Sequence, residues 1–412
     1  MNANQITSIL IVGGGAAGWL TAGILAARHG KNIQITLIES TDVPIIGVGE
    51  GSWPSLRNTL RDMGISETDF FKECDASFKQ GVKFVNWRSA EKNDFYYHPF
   101  SLPVGFIERN IATYWVANSS GKSFADTVCA QEFLCESNLA PRTLDTPEYK
   151  SHVNYGYHLD AGKFVTFLSR HCKNVLGVKH VIGTINTINQ HANGIESIET
   201  ADNIILGADL FVDCSGLKSL LLGQELGVKF IDKSEQLFID SAVAVQVPYE
   251  NEASPILPYT ISQAQQAGWI WDIGLYSRRG IGHVYSSRHI SEDEALATLK
   301  DYVGPAFDKL SPRKLSIPCG YREHFWVKNC VAVGMAAGFI EPLEASALVM
   351  VELAAMYIRD QLPQHKEVMH IVAKRFNELQ TYRWNRIVDF LKLHYVLSER
   401  NSPFWHDNKD PS

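Results

Sequence analysis

Four groups of residues in this sequence have the types and spacing to do chemistry. Lys79 lies in FKQGVKF, with Phe78 before it and Val82, Phe84 and Val85 soon after. An ammonium in apolar surroundings is driven towards the neutral amine and needs a polar partner, which is how lysines become reactive. The same pattern also suits a lysine that snorkels to the surface, as Lys83 would. Glu341 and Glu344 stand three residues apart across Pro342 in GFIEPLEASAL, as carboxylates suited to proton transfer or to helix capping. Trp269 and Trp271 alternate in GWIWDIGL, so on an extended strand both rings face one side, an arrangement that also suits the packing of a sheet. Gly13, Gly15 and Gly18 satisfy GxGxxG, and Glu39 follows 21 residues beyond Gly18.

The elements that must position these groups begin with SILIVGGGAAGWLTAGILAARHGKNIQITLIES, an apolar strand, a glycine turn with Ala16 and Ala17, an Ala/Leu-rich helix and a strand ending in Glu39. That is a βαβ unit. Its glycines let the backbone turn tightly and approach a pyrophosphate, the helix start offers unpaired N–H groups, and Glu39 can accept from a ribose hydroxyl. ADLFVDCSG (208–216) and NCVAVGMAAGF (329–339) read as further strands of the same parallel sheet, so Gly334 and Gly338 would lie at its nucleotide edge. The fold class is therefore α/β. We expect one unit over 1–412, with nucleotide-binding parts at about 6–60, 150–225 and 315–360. Substrate-side insertions fall at about 61–149 and 226–314, and a helical part at 361–412. Helices are expected over 345–361 and 365–397, separated at Pro363 and with Val349, Leu353, Met356, Ile371, Phe376, Ile387 and Leu391 as apolar positions; the final SPFWHDNKDPS reads as a loop.

Composition narrows the field. Apolar residues make up 45% and charged residues 20%, the balance of a compact globular protein. A net charge of -7 without a dense Lys/Arg run argues against nucleic acid. No stretch reaches the roughly 18 consecutive apolar residues of a membrane span, and the first apolar run leads into glycines rather than a cleavage site, so a cytoplasmic protein is expected. Seven cysteines without a CxxC pair suggest buried, reduced thiols and no metal site.

GxGxxG with a terminal Glu suits FAD and NAD equally. Aromatic-ring hydroxylases of the same broad fold carry a GD pair late in the chain, where this sequence has Gly334-Met335. Taken together, the glycine turn, FKQGVKF, GWIWDIGL and AAGFIEPLEASAL resemble the flavin-dependent tryptophan halogenase family. GVGEGSWP (47–54, with Gly49), NYGYHLDA (154–161) and DCSGLKSLL (213–221) look like further family segments, and the likeness runs from residue 8 to about 405.

The resemblance implies an FAD-binding, glutathione-reductase-like doubly wound fold with an inserted β-rich substrate region and C-terminal helices. It implies an enzyme that uses FAD as FADH2, O2 and chloride or bromide, forming hypohalous acid from a flavin C4a-hydroperoxide. Trp269 and Trp271 would stand beside the flavin and keep the organic substrate from its edge. Lys79 would receive hypohalous acid, by hydrogen bonding or as a chloramine, and deliver halogen to an electron-rich arene, an indole or a relative. Glu344 would polarise that species or deprotonate the cationic ring, with Glu341 as its competitor. His98 and Phe100 match an HxF element that encloses the indole, a role that Tyr96 and Tyr97 could share.

Departures from the family pattern carry further expectations. The usual Ser-Thr-Gly becomes Ala345-Ser346-Ala347, where backbone N–H groups of Ser346 and Ala347 could still hold halide but a changed pocket could favour bromide. Gly274 replaces a proline after WIWDI. The resemblance also implies a further C-terminal stretch that grips the amino acid, whereas this chain stops at Ser412; whether it is cut short or lacks that grip, free tryptophan becomes a weaker candidate, and a simpler indole, a phenol or a larger molecule a stronger one. No second nucleotide fingerprint is present, so a separate NAD(P)H-dependent flavin reductase is the expected partner, beside a small aromatic substrate. The oligomeric state stays open, a homodimer being one arrangement. The alternatives are a flavin monooxygenase acting on an aromatic substrate without halogenation, for which Ala345 and Ala347 speak, and a non-catalytic flavin-binding module.

Overall fold

A computed structural model describes residues 4–42, 49–91, 93–119 and 121–410. Gly47 and Val48 of GVGEGSWP and the last two residues lie outside the described residues.

The N-terminal βαβ unit forms as the sequence demands. Strand Ser8–Val12 is an apolar run buried at Ile9 to Val12, as expected for a parallel strand covered on both faces. It pairs in parallel with Gln34–Glu39 on one side and Leu210–Asp213 on the other. The sheet continues to Lys179–Ile182 beyond the former and to Cys330–Ala332 and Trp326–Val327 beyond the latter. Five strands are parallel and Trp326–Val327 closes the edge antiparallel. The strands near residues 210 and 330 thus end beside the glycine turn, where sequence placed them. Helix Ala16–His29 crosses over the sheet, burying Trp19, Leu20, Ala22, Ile24 and Leu25.

Two glycines make this turn possible. Gly13 has φ +119°, and a Cβ there would stand 2.2 Å from the Cys214 carbonyl oxygen; a Cβ at Gly18 would stand 1.8 Å from the Gly13 oxygen. No side chain fits either gap.

The second large sheet has seven strands, in the order Arg313–Ser316, Ser241–Pro248, Arg278–Tyr285, Gly268–Gly274, Thr260–Gln265, Gly81–Val85 and Phe95–Pro99. Strands from around residue 90 and from 241–316 therefore share one sheet, joined by the parallel pairing of Gly81–Val85 with Thr260–Gln265. Strand Gly268–Gly274 is buried at all seven positions. A small sheet of Gly49–Gly51, Gly156–Asp160 and Ser77–Lys79 links the two, with Gly156–Asp160 in the middle.

The C-terminal helices run Ser346–Gln361 and Met369–Val396, after a single 3-10 turn over Lys366–Val368. Ile371 differs from expectation, lying 43% exposed instead of in the core. The expected terminal loop is also corrected: Pro403–Asp407 is a short helix. Proline suits its first position. Phe404 and Trp405 bury completely against Trp87 and Tyr395, and Trp405 Nε1 donates to the Gln265 carbonyl at 2.8 Å. Two buried aromatics, each worth about 3–5 kcal/mol on truncation, outweigh the polar composition around them.

All seven cysteines are free thiols, six of them buried. Among the described residues no helix is long and apolar enough to cross a membrane.

Candidate active site

Lys79 ends strand Ser77–Lys79, and its side chain points inward, leaving the residue 1% exposed. Burial lowers its ammonium to about 8, against the pull of Glu344 and Glu50, which favour the charge. Nζ lies 2.9 Å from where a Cβ on Gly51 would stand, so a side chain there would push the amine aside. The Phe100 ring centroid is 5.4 Å away. Glu50, on strand Gly49–Gly51 at the other edge of the same small sheet, is raised to about 7 by burial, with Lys79 pulling the other way. The amine and this carboxyl are therefore both drawn towards neutrality by the same dry surroundings.

Glu344 occupies the opposite electrostatic condition. Burial would raise it, but hydrogen bonds with His394 and His98 outweigh that and hold it down at about 2. Both rings meet the same oxygen: His98 Nδ1 at 2.7 Å and His394 Nε2 at 3.1 Å from Oε1. Trp53 Nε1 fixes the backbone by donating to the Glu344 carbonyl at 2.8 Å. Around the carboxylate stand Phe84, 4.6 Å from His98 and 5.1 Å from His394 between ring centres, Tyr96, which stacks on Phe84 at 4.9 Å, and Phe390 at 6.3 Å from His98. His98 lies at the rim with its side chain 38% exposed. Tyr97 is placed elsewhere: it faces Tyr259 and Glu136 and belongs to a separate small core.

Glu341 is a different kind of carboxyl. It is 1% exposed and raised to about 7 by burial, with Tyr395 and Trp269 lowering it in part. Trp269 Nε1 donates to its Oε2 at 2.8 Å and the Tyr395 hydroxyl at 2.5 Å, while Oε1 has no partner among the described residues. Glu341 thus anchors a tryptophan.

Trp269 and Trp271 share a face of the buried strand, ring centres 6.5 Å apart and edge to face. The Trp271 ring lies over Gly282, where a Cβ would stand 2.2 Å from it. A cavity of about 400 Å³ opens beside Trp271, bounded also by Arg278, Gly280 and Arg313.

At the nucleotide end, the helix of Ala16–His29 begins at Gly15 with no side-chain cap, so the amides of Ala16, Ala17 and Gly18 lack that acceptor. A Cβ on Gly15 would meet nothing within 4 Å: the space above the turn is open, and an anion fits there. Glu39 closes the turn, its Oε2 1.5 Å from where a Gly14 Cβ would be, and its Oε1 receives His180 Nε2 at 2.7 Å. Gly334 has φ +70° and its Cβ would stand 2.6 Å from that of Ala17, bringing the late glycine onto the first helix. Gly49 backs onto the halves of the second sheet, 3.4 Å from Ile273 by the same measure, while Gly338 pairs against Tyr321 in a small sheet of its own. Ser346 and Ala347 are the first two residues of helix Ser346–Gln361, entered through Ala345 at φ +51° with no side-chain cap.

Sequence reasoning missed Glu50, His394 and Tyr395. Glu50 stood within a quoted segment, and its signal was a carboxylate between two glycines. His394 and Tyr395 gave no local signal; they are single positions on a long helix, brought to Glu344 and Glu341 only by the way that helix packs.

A sequence profile of the family described as "Tryptophan halogenase" matches residues 8–412. The chain is 36% identical to tryptophan 7-halogenase RebH of Lentzea aerocolonigenes, over 99% of this chain and 80% of that one. Among solved structures, a tryptophan halogenase from Shewanella frigidimarina is 48% identical, with a TM-score of 0.96 over 98% of this chain and 80% of that one. BrvH, a flavin-dependent halogenase from Brevundimonas, is 30% identical with a TM-score of 0.87, over 98% of this chain and 82% of that one.

Proposed function

Since the chain belongs to the tryptophan halogenase family, we propose that it is a two-component halogenase in which Lys79 and Glu344 pass electrophilic halogen to an electron-rich arene of the indole type. The observation that carries this reading is the pairing of a buried lysine, its ammonium lowered to about 8, with a carboxylate held ionised inside an aromatic wall.

FAD would be held by the open glycine turn at Gly13, Gly15 and Gly18, the amides of Ala16 and Ala17, and Glu39, with Gly49, Gly334 and Gly338 on its other sides. The bound reduced flavin, with O2, would supply the oxidising power that turns halide into hypohalous acid. Halide would meet the free amides of Ser346 and Ala347. Trp269, fixed by Glu341, and Trp271 keep bulk away from the flavin side.

Lys79, whose proton is loosely held, hydrogen-bonds the hypohalous acid and orients its halogen. Glu344 faces the arene as an anion. It stabilises the cationic ring formed when halogen adds, and takes the ring proton as aromaticity returns. His98 and Phe100 hold the ring in place. The net change is loss of one ring hydrogen, gain of one halogen and release of water. A separate NAD(P)H-dependent reductase would deliver the reduced flavin.

The test is incubation with FAD, a flavin reductase and NADH, with chloride or bromide as sole halide, and tryptophan, indole and phenol panels read by mass spectrometry. We expect a halogen isotope pattern that disappears in Lys79→Ala. A gain of one oxygen, independent of halide, would instead favour a monooxygenase.

A further inference from the structure

From the convergence of His98 Nδ1, His394 Nε2 and Glu344 Oε1, we infer that the arene side of this protein is also a binding site for a borderline divalent metal ion, Zn2+ or Co2+, which would block the carboxylate. The three donor atoms come from three distant segments and all lie within 4.8 Å of one another. Two imidazoles and one carboxylate are a donor set that suits zinc and its neighbours, and not calcium or magnesium.

Distances support a small rearrangement. Ligands about 2.0–2.1 Å from a tetrahedral ion stand roughly 3.3 Å from one another. The two nitrogens are now 2.7 and 3.1 Å from Glu344 Oε1, so each draws back from that oxygen by a few tenths of an ångström, while the two nitrogens, within 4.8 Å of one another, close the remaining edge. His98 is partly exposed at the rim, which leaves access for the ion and a fourth position for water.

The supporting groups are in place as well. His394 Nδ1 lies 2.9 Å from the Phe390 carbonyl, to which it must donate. A metal-binding histidine typically has its other nitrogen fixed by a carbonyl in this way. With Nδ1 so occupied, Nε2 meets the carboxylate favourably only if a cation lies between them, a second proton or a metal ion. Lys79, whose charge acts on Glu344, opposes a dication.

Binding rests on these contacts alone, whereas its consequence, inhibition competitive with the arene, rests on the role proposed for Glu344. The two are separable by experiment. Co2+ is titrated into the untagged chain without flavin, following the visible band of a four-coordinate ion, and then displaced with Zn2+. We expect saturation at one ion per chain, about tenfold or greater weakening in His98→Phe and in His394→Phe, and tighter binding in Lys79→Met. Circular dichroism checks that each variant is folded; the rim residue His98 provides the comparison should His394→Phe fail. No band, or a band indifferent to both histidine substitutions, would overturn the site. Zn2+ that binds as expected yet leaves arene halogenation unchanged would leave the metal site standing and count against Glu344.

Discussion

The nucleotide end and the lysine end of this molecule are built on opposite principles. At the glycine turn the working groups are backbone amides, and side chains are excluded by backbone carbonyls 1.8 and 2.2 Å from any Cβ at Gly18 and Gly13. At the lysine end the working groups are side chains with shifted acidities: Lys79 at about 8, Glu50 at about 7 and Glu344 at about 2. A backbone site demands particular residue types at particular local spacings. A side-chain site demands only that distant segments arrive together.

The comparison can be broken from either end. The largest effect should come from Gly18→Val, whose Cβ meets the Gly13 carbonyl; a loss of more than about 4 kcal/mol is expected, seen as failure to accumulate folded protein or to retain FAD. Gly15→Ala, facing open space, should leave the melting temperature nearly unchanged and weaken flavin binding alone. If both variants melt alike, the turn is not the steric device described.

At the other end, Glu344→Gln should lower the halogenation rate by about 10²–10³ without altering flavin affinity, as measured by flavin fluorescence titration. Trp269→Phe should be smaller and structural. It leaves one donor, Tyr395, on the buried Glu341, at about 1–3 kcal/mol, measured by denaturant unfolding.

The pH dependence sharpens the same contrast. Glu341 is raised from its ordinary 4.5 to about 7 in the folded chain. Between those values the folded state binds more protons than the unfolded one, so stability from this group falls as pH rises through that window. Glu341→Gln should flatten the fall in melting temperature between pH 5 and 7. Glu344, lowered to about 2, acts the other way: its contribution is full above the ordinary 4.5 and is lost only as pH falls towards 2.

The same division decides what the sequence disclosed. Gly13, Gly15, Gly18 and Glu39, the strands at 210 and 330 and the two long C-terminal helices all announce themselves through local pattern. Lys79 and its apolar flanks were legible too, because burial of that lysine is written into neighbouring residues. His394 was not: it reaches Glu344 across 50 residues, and Glu344 reaches His98 across 246. Nor was the helix of Pro403–Asp407, whose polar residues resemble a loop until Phe404 and Trp405 find the core.

The central claim is that Lys79 passes halogen from its place of formation to the arene. The most direct measurement compares the native chain with Lys79→Met, supplied with reduced FAD, O2 and bromide, partitioning product between the arene and a freely diffusing hypohalous acid trap. The native chain should brominate the arene, and the variant should lose arene bromination while bromine still reaches the trap. Arene bromination by Lys79→Met at the native rate would contradict it.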